Sequence, residues 1–204
     1  MARFFITLSY NGKNYVGWQI QPNGLSVQEK LQYALSTILR SEVEVVGAGR
    51  TDAGVHASKM IAHFDWVGDP FSSEDLVFKL NSFLPKDIAI FSINEVKPDA
   101  HARFSAISRT YKYYITTEKD PFHHELTYRV NFIPDIDKMN ALCPLLIQTK
   151  DFTSFSKLHT DVKTNICSIE YAVWKRMGNL YVFEIKADRF LRNMVRAIVG
   201  TLLE

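Results

Sequence analysis

The sequence predicts an α+β protein of two halves, because two successive stretches of the chain repeat a similar alternation of strand and helix patterns. Where strands are expected, apolar and polar residues alternate, and where helices are expected, apolar residues recur with a helical period. The chain has 204 residues, which suits one or two domains, each with its own hydrophobic core. We place one domain at residues 1–104 and the second at residues 105–204.

Six elements are predicted in the first half. Strands are expected at residues 4–10, 43–47, 60–66 and 88–96, and helices at residues 26–39 and 72–84. Ser26 and Glu29 form the S-x-x-E pattern of a capping box, which marks the start of a helix, and Pro85 ends the second helix. This β-α-β-β-α-β order is typical of ferredoxin-like domains, in which helices cover one face of an antiparallel sheet.

The second half repeats this order loosely, with one further short strand and without the closing strand. Strands are expected at residues 111–116, 128–132, 169–173 and 181–185, and helices at residues 135–148 and 191–202. Pro144 is expected to kink or split the first of these helices. The pattern stops at Glu204 with no closing strand. We therefore expect the last element to be truncated and the second half to be incomplete at its C-terminus.

The composition excludes several classes of protein. With 24 Lys and Arg against 22 Asp and Glu, the chain is not a polycation, although a local basic face could still bind nucleic acid. Two cysteines are too few for a disulfide framework, and the six histidines show no metal-binding spacing, so no metal is expected. Apolar stretches are too short for a signal peptide or a membrane span, which predicts a cytoplasmic protein.

Residues 47–56, G-A-G-R-T-D-A-G-V-H, form the most informative segment. Its glycines permit positive φ and a close approach of a ligand to the backbone. Between them lie a cation, Arg50, a hydroxyl, Thr51, and a carboxylate, Asp52. The glycine spacing differs from that of a dinucleotide-binding loop, and the Gly-Lys-Ser/Thr of a P-loop is absent. These residues alone leave open a glycine-rich hairpin in which Asp52 only caps a turn.

This segment resembles the signature of the tRNA pseudouridine synthase A (TruA) family. Further stretches resemble the family in the same order: Y-x-G-x-x-Y-x-G-W-Q-x-Q-P at residues 10–22, H-A-R-F-S-A at 101–106, R-T-Y-K-Y at 109–113, D-F-T-S-F at 151–155 and F-L-R-N-M-V-R-x-I-V-G at 190–200. The resemblance implies an enzyme that converts uridines at positions 38 to 40 of the tRNA anticodon stem-loop into pseudouridine. It also implies a homodimer that needs no cofactor, since the reaction is an isomerisation.

The resemblance assigns roles to individual residues. Asp52 corresponds to the catalytic carboxylate, which acts as nucleophile or base. Tyr111 is implied to stack on the uracil and to lie where a proton could be moved. Arg196 is implied to pair with Asp52 and to hold it ionised. Arg50 resembles the arginine that occupies the space of the flipped base. For the whole chain we expect the two halves to share one extended antiparallel sheet with a central active-site cleft.

The residues themselves leave alternatives open. Tyr111 lies in a run of tyrosines and could be a packing residue of a sheet, and Arg196 could be a surface cation. The position of Arg196 on a helical stripe expected to be buried favours a paired arginine. Arg103 and Arg109, together with Thr51, are predicted to contact the RNA, although some of these cations could equally be solvated surface residues.

Two other classes of function compete with the RNA isomerase. A non-catalytic module that binds single-stranded RNA would require an RNP-type aromatic strand, which the sequence lacks. A metabolic enzyme with a glycine-rich phosphate loop would require a helix directly after Gly54, where the alternation at residues 60–66 predicts a strand.

Overall fold

The computed structural model describes residues 1–157 and 164–204. Two compact units make up the chain, Met1–Ala106 and Ile107–Glu204. Each unit contains strands and helices, and the α+β class predicted from the sequence is confirmed. The division between the units falls after Ala106, whereas the sequence analysis places it after Phe104.

The first unit contains four strands and two α-helices in its described residues. In chain order these are β1 (Ala2–Tyr10), α1 (Val27–Leu39), β2 (Val46–Gly47), β3 (Ala57–Trp66), α2 (Ser73–Phe83) and β4 (Ile88–Val96), with a 3-10 turn at Gly12–Asn14. The strands lie in the order β2-β3-β1-β4, and every neighbouring pair is antiparallel.

Local signals explain where the helices of this unit begin. Ser26 caps α1, since its hydroxyl accepts a hydrogen bond from the Glu29 backbone N–H at 3.1 Å and the Glu29 side chain bonds back to Ser26. This confirms the predicted capping box. The apolar stripe of α1, which includes Leu31 and Leu35, packs in one buried cluster with Ile6 and Leu8 of β1. The helices therefore cover one face of the sheet.

The opposite face of this sheet carries polar and aromatic side chains. Arg3 of β1 forms a bidentate ion pair with its cross-strand partner Asp65 of β3. Its Nε and Nη2 donate to the two carboxylate oxygens at 2.7 and 2.8 Å. The same guanidinium donates to the carbonyl oxygen of Ala100 at 2.9 Å. The chain after β4 is thereby attached to this face of the sheet.

The second unit contains four strands and two α-helices in its described residues. They are β5 (Arg109–Thr116), β6 (Tyr128–Arg129), α3 (Ile136–Gln148), β7 (Ile169–Met177), β8 (Leu180–Ala187) and α4 (Met194–Leu203), with a 3-10 turn at Thr153–Phe155. The strands lie in the order β6-β5-β8-β7, and both cysteines are buried in the core of this unit.

Two expectations about the sheets are corrected. Hydrogen bonds among the described residues form two four-stranded sheets, one in each unit, where the sequence analysis expects one extended sheet. In the second unit, β6 pairs with β5 in parallel, at Ile115↔Tyr128 and Thr116↔Arg129, so this sheet is not wholly antiparallel. An alternating pattern identifies a strand, but it carries no information about which strand lies beside it or in which direction.

Of the two outcomes expected at Pro144, the split is wrong, because α3 runs as one element from Ile136 to Gln148; a kink stays a prediction. Packing explains its continuity. Asn140 exchanges two hydrogen bonds with the backbone of Trp174 in β7, at 2.8 and 3.0 Å, and Met139 and Cys143 are buried against the sheet. Such tertiary contacts outweigh the loss of one helical hydrogen bond at proline.

Candidate active site

The loop between β2 and β3, residues 48–56, is called the Asp52 loop here. It contains a turn in which the Val55 backbone N–H donates to the Asp52 carbonyl oxygen at 3.2 Å. Gly54, the third residue of that turn, has a φ of 75°, a left-handed conformation that favours glycine. Asp52 is half-buried and Arg50 is exposed. The predicted catalytic carboxylate therefore lies on a turn with a defined backbone, with Arg50 at the surface beside it.

The Thr51 hydroxyl holds this loop from inside the protein. Its oxygen accepts a hydrogen bond from the backbone N–H of Trp18 at 3.1 Å. The same oxygen lies 3.0 Å from the hydroxyl of Tyr10, whose side chain is buried. Thr51 is predicted to contact substrate, whereas these two hydrogen bonds of its hydroxyl are made within the protein. The direct neighbour of Asp52 is thus fixed to β1 and to the segment that follows it.

Two glycines in that segment allow the chain to approach the Asp52 loop closely. A Cβ at Gly17, whose φ is 117°, would lie 2.2 Å from the Thr51 carbonyl oxygen. A Cβ at Gly12 would lie 2.0 Å from the Val55 carbonyl oxygen. Real Cβ atoms do not occur at such distances, so neither position has room for a side chain. Sequence reasoning missed this role, although the Y-x-G-x-x-Y-x-G-W pattern contained the signal.

Further contacts connect the same two segments. The Gly12 N–H donates to Nδ1 of His56 at 3.1 Å, and the Gly54 N–H donates to the Tyr15 carbonyl oxygen at 3.3 Å. The Trp18 indole is 2% exposed and packs on Gly47, where a Cβ would lie 2.3 Å from its Nε1. Trp18 therefore acts as a loop anchor.

Tyr15 attaches this segment to the start of β4. Its hydroxyl donates to Asp87 Oδ1 at 2.7 Å, and its side chain is 5% exposed. Burial, together with the neighbouring Asp87 carboxylate, raises the pKa of Tyr15 above its ordinary value. Tyr15 therefore stays neutral and keeps donating its proton throughout the pH range in which proteins are usually assayed.

In the second unit, Arg109 and Tyr111 lie on β5. Arg109 Nη1 donates to the carbonyl oxygen of Asp188 at 2.9 Å. The Tyr111 ring is half-buried and meets the ring of Phe190 edge to face, with 5.0 Å between centroids and 81° between planes. Tyr111 points to the same side of β5 as the fully buried Ile115, so part of its ring serves packing.

Arg196 lies in the first turn of α4 and is exposed, which corrects its expected place on a buried stripe. The stripe itself exists, because Met194, Ile198 and Val199 are buried. Arg196 falls outside it, since a helix turns by about 100° per residue and a neighbour in sequence faces elsewhere. The pKa of Tyr113 on β5 is raised, mainly by burial and also by the nearby Tyr128. The positive charge of Arg196 opposes this and lowers the pKa of Tyr113.

Other predicted RNA contacts lie at the surface. Arg103 is exposed in a turn that follows β4. On the face of the second sheet that carries Lys112, the Glu184 carboxylate lies 3.8 Å from the Lys112 ammonium and 3.3 Å from that of Lys175. The Tyr171 hydroxyl also donates to Glu184 and lowers the pKa of its carboxyl group. Glu184 therefore partly neutralises the two lysines of this patch.

Two features are absent from residues 1–157 and 164–204, the part of the chain that the structure describes. Within them, no group of three or more His, Cys, Asp or Glu side chains is arranged to hold a metal ion. Within the same ranges, no helix is both long enough and apolar enough to cross a membrane.

Comparison with known proteins identifies the family of this chain. A family model described as tRNA pseudouridine synthase matches residues 6–105 and 143–204. The chain belongs to the tRNA pseudouridine synthase family. As a member of this family it is an isomerase. The matched ranges contain the Asp52 loop, the segment that holds it and helix α4, whereas Arg109 and Tyr111 fall outside them.

Individual relatives extend over the whole chain. The tRNA pseudouridine synthase A of Parabacteroides distasonis is 62% identical across 100% of this chain, which covers 81% of that relative. The tRNA pseudouridine synthase A of Bacteroides fragilis is 60% identical with the same two coverages. A tRNA pseudouridine synthase A of Francisella tularensis is 39% identical across 100% of this chain and 80% of its own length.

Proposed function

We propose that this chain converts uridine to pseudouridine in tRNA and that Asp52 is the carboxylate that begins the reaction. The observation that carries the proposal is the construction of the Asp52 loop. Gly12, Gly17 and Thr51 hold the backbone on both sides of a half-buried carboxylate, with an exposed arginine two positions earlier. Such preorganisation is what a catalytic group requires, and a turn-capping aspartate in a surface hairpin does not need it.

The chemistry is a rearrangement within one nucleotide. The bond from N1 of uracil to C1′ of ribose breaks, the base turns over, and a bond from C5 to C1′ forms. The hydrogen on C5 leaves as a proton and N1 gains a proton, so atoms and electrons balance without a cofactor. An ionised Asp52 can attack C6 of the base, attack C1′ of the ribose, or remove a ribose proton, and each route begins from the carboxylate.

The proposed substrate is the anticodon stem-loop, at positions 38 to 40. A stacked uridine must leave the stem before a carboxylate can reach it, and that unstacking costs a few kcal/mol. The exposed guanidinium of Arg50 is proposed to occupy the space that the base vacates. The internal bonds of the Thr51 hydroxyl support a positioning role for this residue. Arg103 and Arg109 are proposed to contact phosphates, which fix position without reading sequence.

Tyr111 and Arg196 complete the proposed chemistry. Tyr111 is proposed to stack on the uracil and to move a proton, and Arg196 to hold Asp52 ionised and oriented. The proposal therefore requires all three side chains to act on the same uridine. The charge of Arg196 acts on the β5 residue Tyr113, two positions after Tyr111, which supports a shared role for α4 and β5.

The architecture and setting of the enzyme are part of the same proposal. The strand order β2-β3-β1-β4, with antiparallel neighbours and two helices on one face, supports a ferredoxin-like first unit. We propose the same ferredoxin-like fold for the second unit, in which the short β6 lies beside β5 at the edge of the sheet. We further propose that the enzyme acts as a homodimer in the cytoplasm.

A tritium-release assay tests this function. The wild-type protein is incubated with a tRNA transcript whose uracils carry tritium at C5, and water-soluble tritium is measured. Release is expected from the transcript and should fall to background when the uridines at positions 38 to 40 are replaced by cytidine. No release from either transcript would contradict the proposal and would leave only RNA binding. Equal release from both would contradict the assigned positions.

A further inference from the structure

The turn at residues 101–105, after β4 in the first unit, carries a largely exposed aromatic ring. Phe104 is 76% exposed. Its neighbour Arg103 has its guanidinium carbon 5.7 Å from the centroid of the Phe104 ring, within cation–π range. A ring exposed to this degree contributes little to the core, so packing does not explain its position.

This ring is held in a defined orientation. The backbone N–H groups of Arg103 and Phe104 both donate to Nδ1 of His101, at 3.1 and 3.3 Å. The His101 N–H donates to the Ser105 hydroxyl at 2.9 Å, and the Ser105 N–H donates back to the His101 carbonyl oxygen at 2.8 Å. The His101 and Phe104 rings lie 4.4 Å apart. A ring fixed before binding loses little conformational entropy when a ligand stacks on it.

The turn is attached to the sheet next to the Asp52 loop. The Ala102 N–H donates to Nδ1 of His63 at 3.2 Å, and His63 is 4% exposed. Burial lowers the pKa of His63, which favours the neutral ring, the form in which Nδ1 can accept this bond. His63 of β3 is the cross-strand partner of Val46, the residue before Gly47, and the Asp52 loop leaves β2 after Gly47. Cross-strand partners lie about 5 Å apart, so the 101–105 turn is bonded to the sheet close to the point at which the Asp52 loop leaves it.

We propose that Phe104 and Arg103 form a stacking platform for an unpaired base of the tRNA substrate. Phe104 stacks on the base, and Arg103 contacts the phosphate next to it. An exposed aromatic ring beside a cation is the arrangement with which proteins hold single-stranded nucleotides, because the ring takes the face of the base and the cation takes the backbone charge. The inference rests on the proposed function, since it presumes that tRNA is the substrate.

The central test is the affinity of Phe104→Leu for tRNA. Leucine keeps apolar bulk and removes the aromatic face, so the Kd should rise about 10-fold relative to wild type. Phe104→Trp keeps an aromatic face and should bind tRNA about as tightly as the wild type. The matched control is Phe78→Leu on α2, because Phe78 is 73% exposed and its Kd should not change. A Kd for Phe104→Leu equal to that of Phe78→Leu would overturn the platform.

A second measurement does not depend on the stability of the leucine variant. In Phe104→Trp, the new indole should lose fluorescence when tRNA is added, because a base stacks on it, whereas the indole of Phe78→Trp should not. Equal quenching in the two variants would overturn the proposal. Failure of the enzyme itself is distinguishable, since it would appear as absent tritium release by the wild type. If the wild type released tritium and Phe104→Leu bound tRNA with the wild-type Kd, the stacking platform would be rejected and the proposed function would stand.

Discussion

The Asp52 loop and the first turn of α4 both carry a charged residue with a proposed role in catalysis, but they are built differently. The Asp52 loop is fixed by hydrogen bonds to Thr51 and by glycines with no space for a side chain. Helix α4 begins at Asn193, which has a φ of 67° and makes no side-chain capping bond, and Arg196 projects from its exposed side. Changes around Asp52 should therefore affect folding and activity together, whereas changes at Arg196 should affect activity alone.

The largest effect on stability is expected from Gly17→Ala. The new Cβ would lie 2.2 Å from the Thr51 carbonyl oxygen at a backbone φ of 117°. Clash and backbone strain together should lower the free energy of unfolding by about 3 kcal/mol or more. Urea denaturation measures this loss, and tritium release should fall with it.

The matched control is Gly200→Ala in α4, where a Cβ would meet no atom within 4 Å. Alanine favours a helix more than glycine does, so this variant should gain about 0.5–1 kcal/mol. If Gly17→Ala were as stable as Gly200→Ala, the Asp52 loop would not be held in the described way.

Thr51→Val should have the next largest effect. Valine retains the shape of the side chain but leaves the Trp18 N–H with only its longer bond to the Thr51 carbonyl oxygen, at 3.4 Å, and removes one partner of the Tyr10 hydroxyl. The free energy of unfolding should fall by about 1–2 kcal/mol, and Thr51→Ser should recover most of that loss. Thermal denaturation of both variants shows whether Thr51 holds the loop or only contacts substrate, because a residue that only contacts substrate would leave stability unchanged.

The ion pair of Arg3 with Asp65 should contribute a smaller and pH-dependent stability. Arg3 lowers the pKa of the Asp65 carboxyl below its ordinary value of about 3.8. A lowered pKa stabilises the fold above that value, and the contribution disappears as the pH falls through the folded-state pKa. The Tm of Asp65→Asn should be lower than wild type at pH 7, with the difference closing below about pH 3.8. A difference that stayed constant down to pH 2.5 would contradict this account.

The smallest effect on stability is expected at Arg196. Because the residue is exposed, Arg196→Met should change the free energy of unfolding by no more than about 0.5 kcal/mol. Turnover should nevertheless fall by about 100-fold, since the charge that is proposed to support the Asp52 carboxylate is lost. Lys79→Met on the exposed side of α2 is the control and should retain the wild-type free energy of unfolding and the wild-type turnover. A large stability loss, or wild-type turnover, would remove the contrast between α4 and the Asp52 loop.

Features that depend on neighbours in sequence were predicted well. The capping box of Ser26 and Glu29 and the buried stripe of α4 follow from spacing alone, and the structure confirms both. That α3 is not split at Pro144 could not be predicted locally, because the contact of Asn140 with β7 that holds the helix joins residues 34 positions apart. The parallel pairing of β6 has no local signal of any kind.

In the candidate site, too, local features could be predicted from the sequence, whereas contacts between distant residues could not. The sequence identified the Asp52 segment by its composition and its resemblance to a family. It did not reveal how the segment is held, because the bonds of Thr51 join residues 33 and 41 positions apart. Nor did it show that Phe104 is exposed, which depends on how residues 101–105 turn back on His101. Periodicity also misplaced Arg196, whose neighbours are buried while its own side chain is not.

Tritium release by Asp52→Asn tests the central claim most directly. Asparagine keeps the size of the side chain and removes its negative charge, so the loop should fold and tRNA should bind with the salt dependence of wild type. We expect no tritium release above background, while Asp69→Asn, at an exposed turn before α2, should turn over within about 2-fold of wild type. Release by Asp52→Asn at a rate comparable to that of Asp69→Asn would contradict a catalytic role for Asp52.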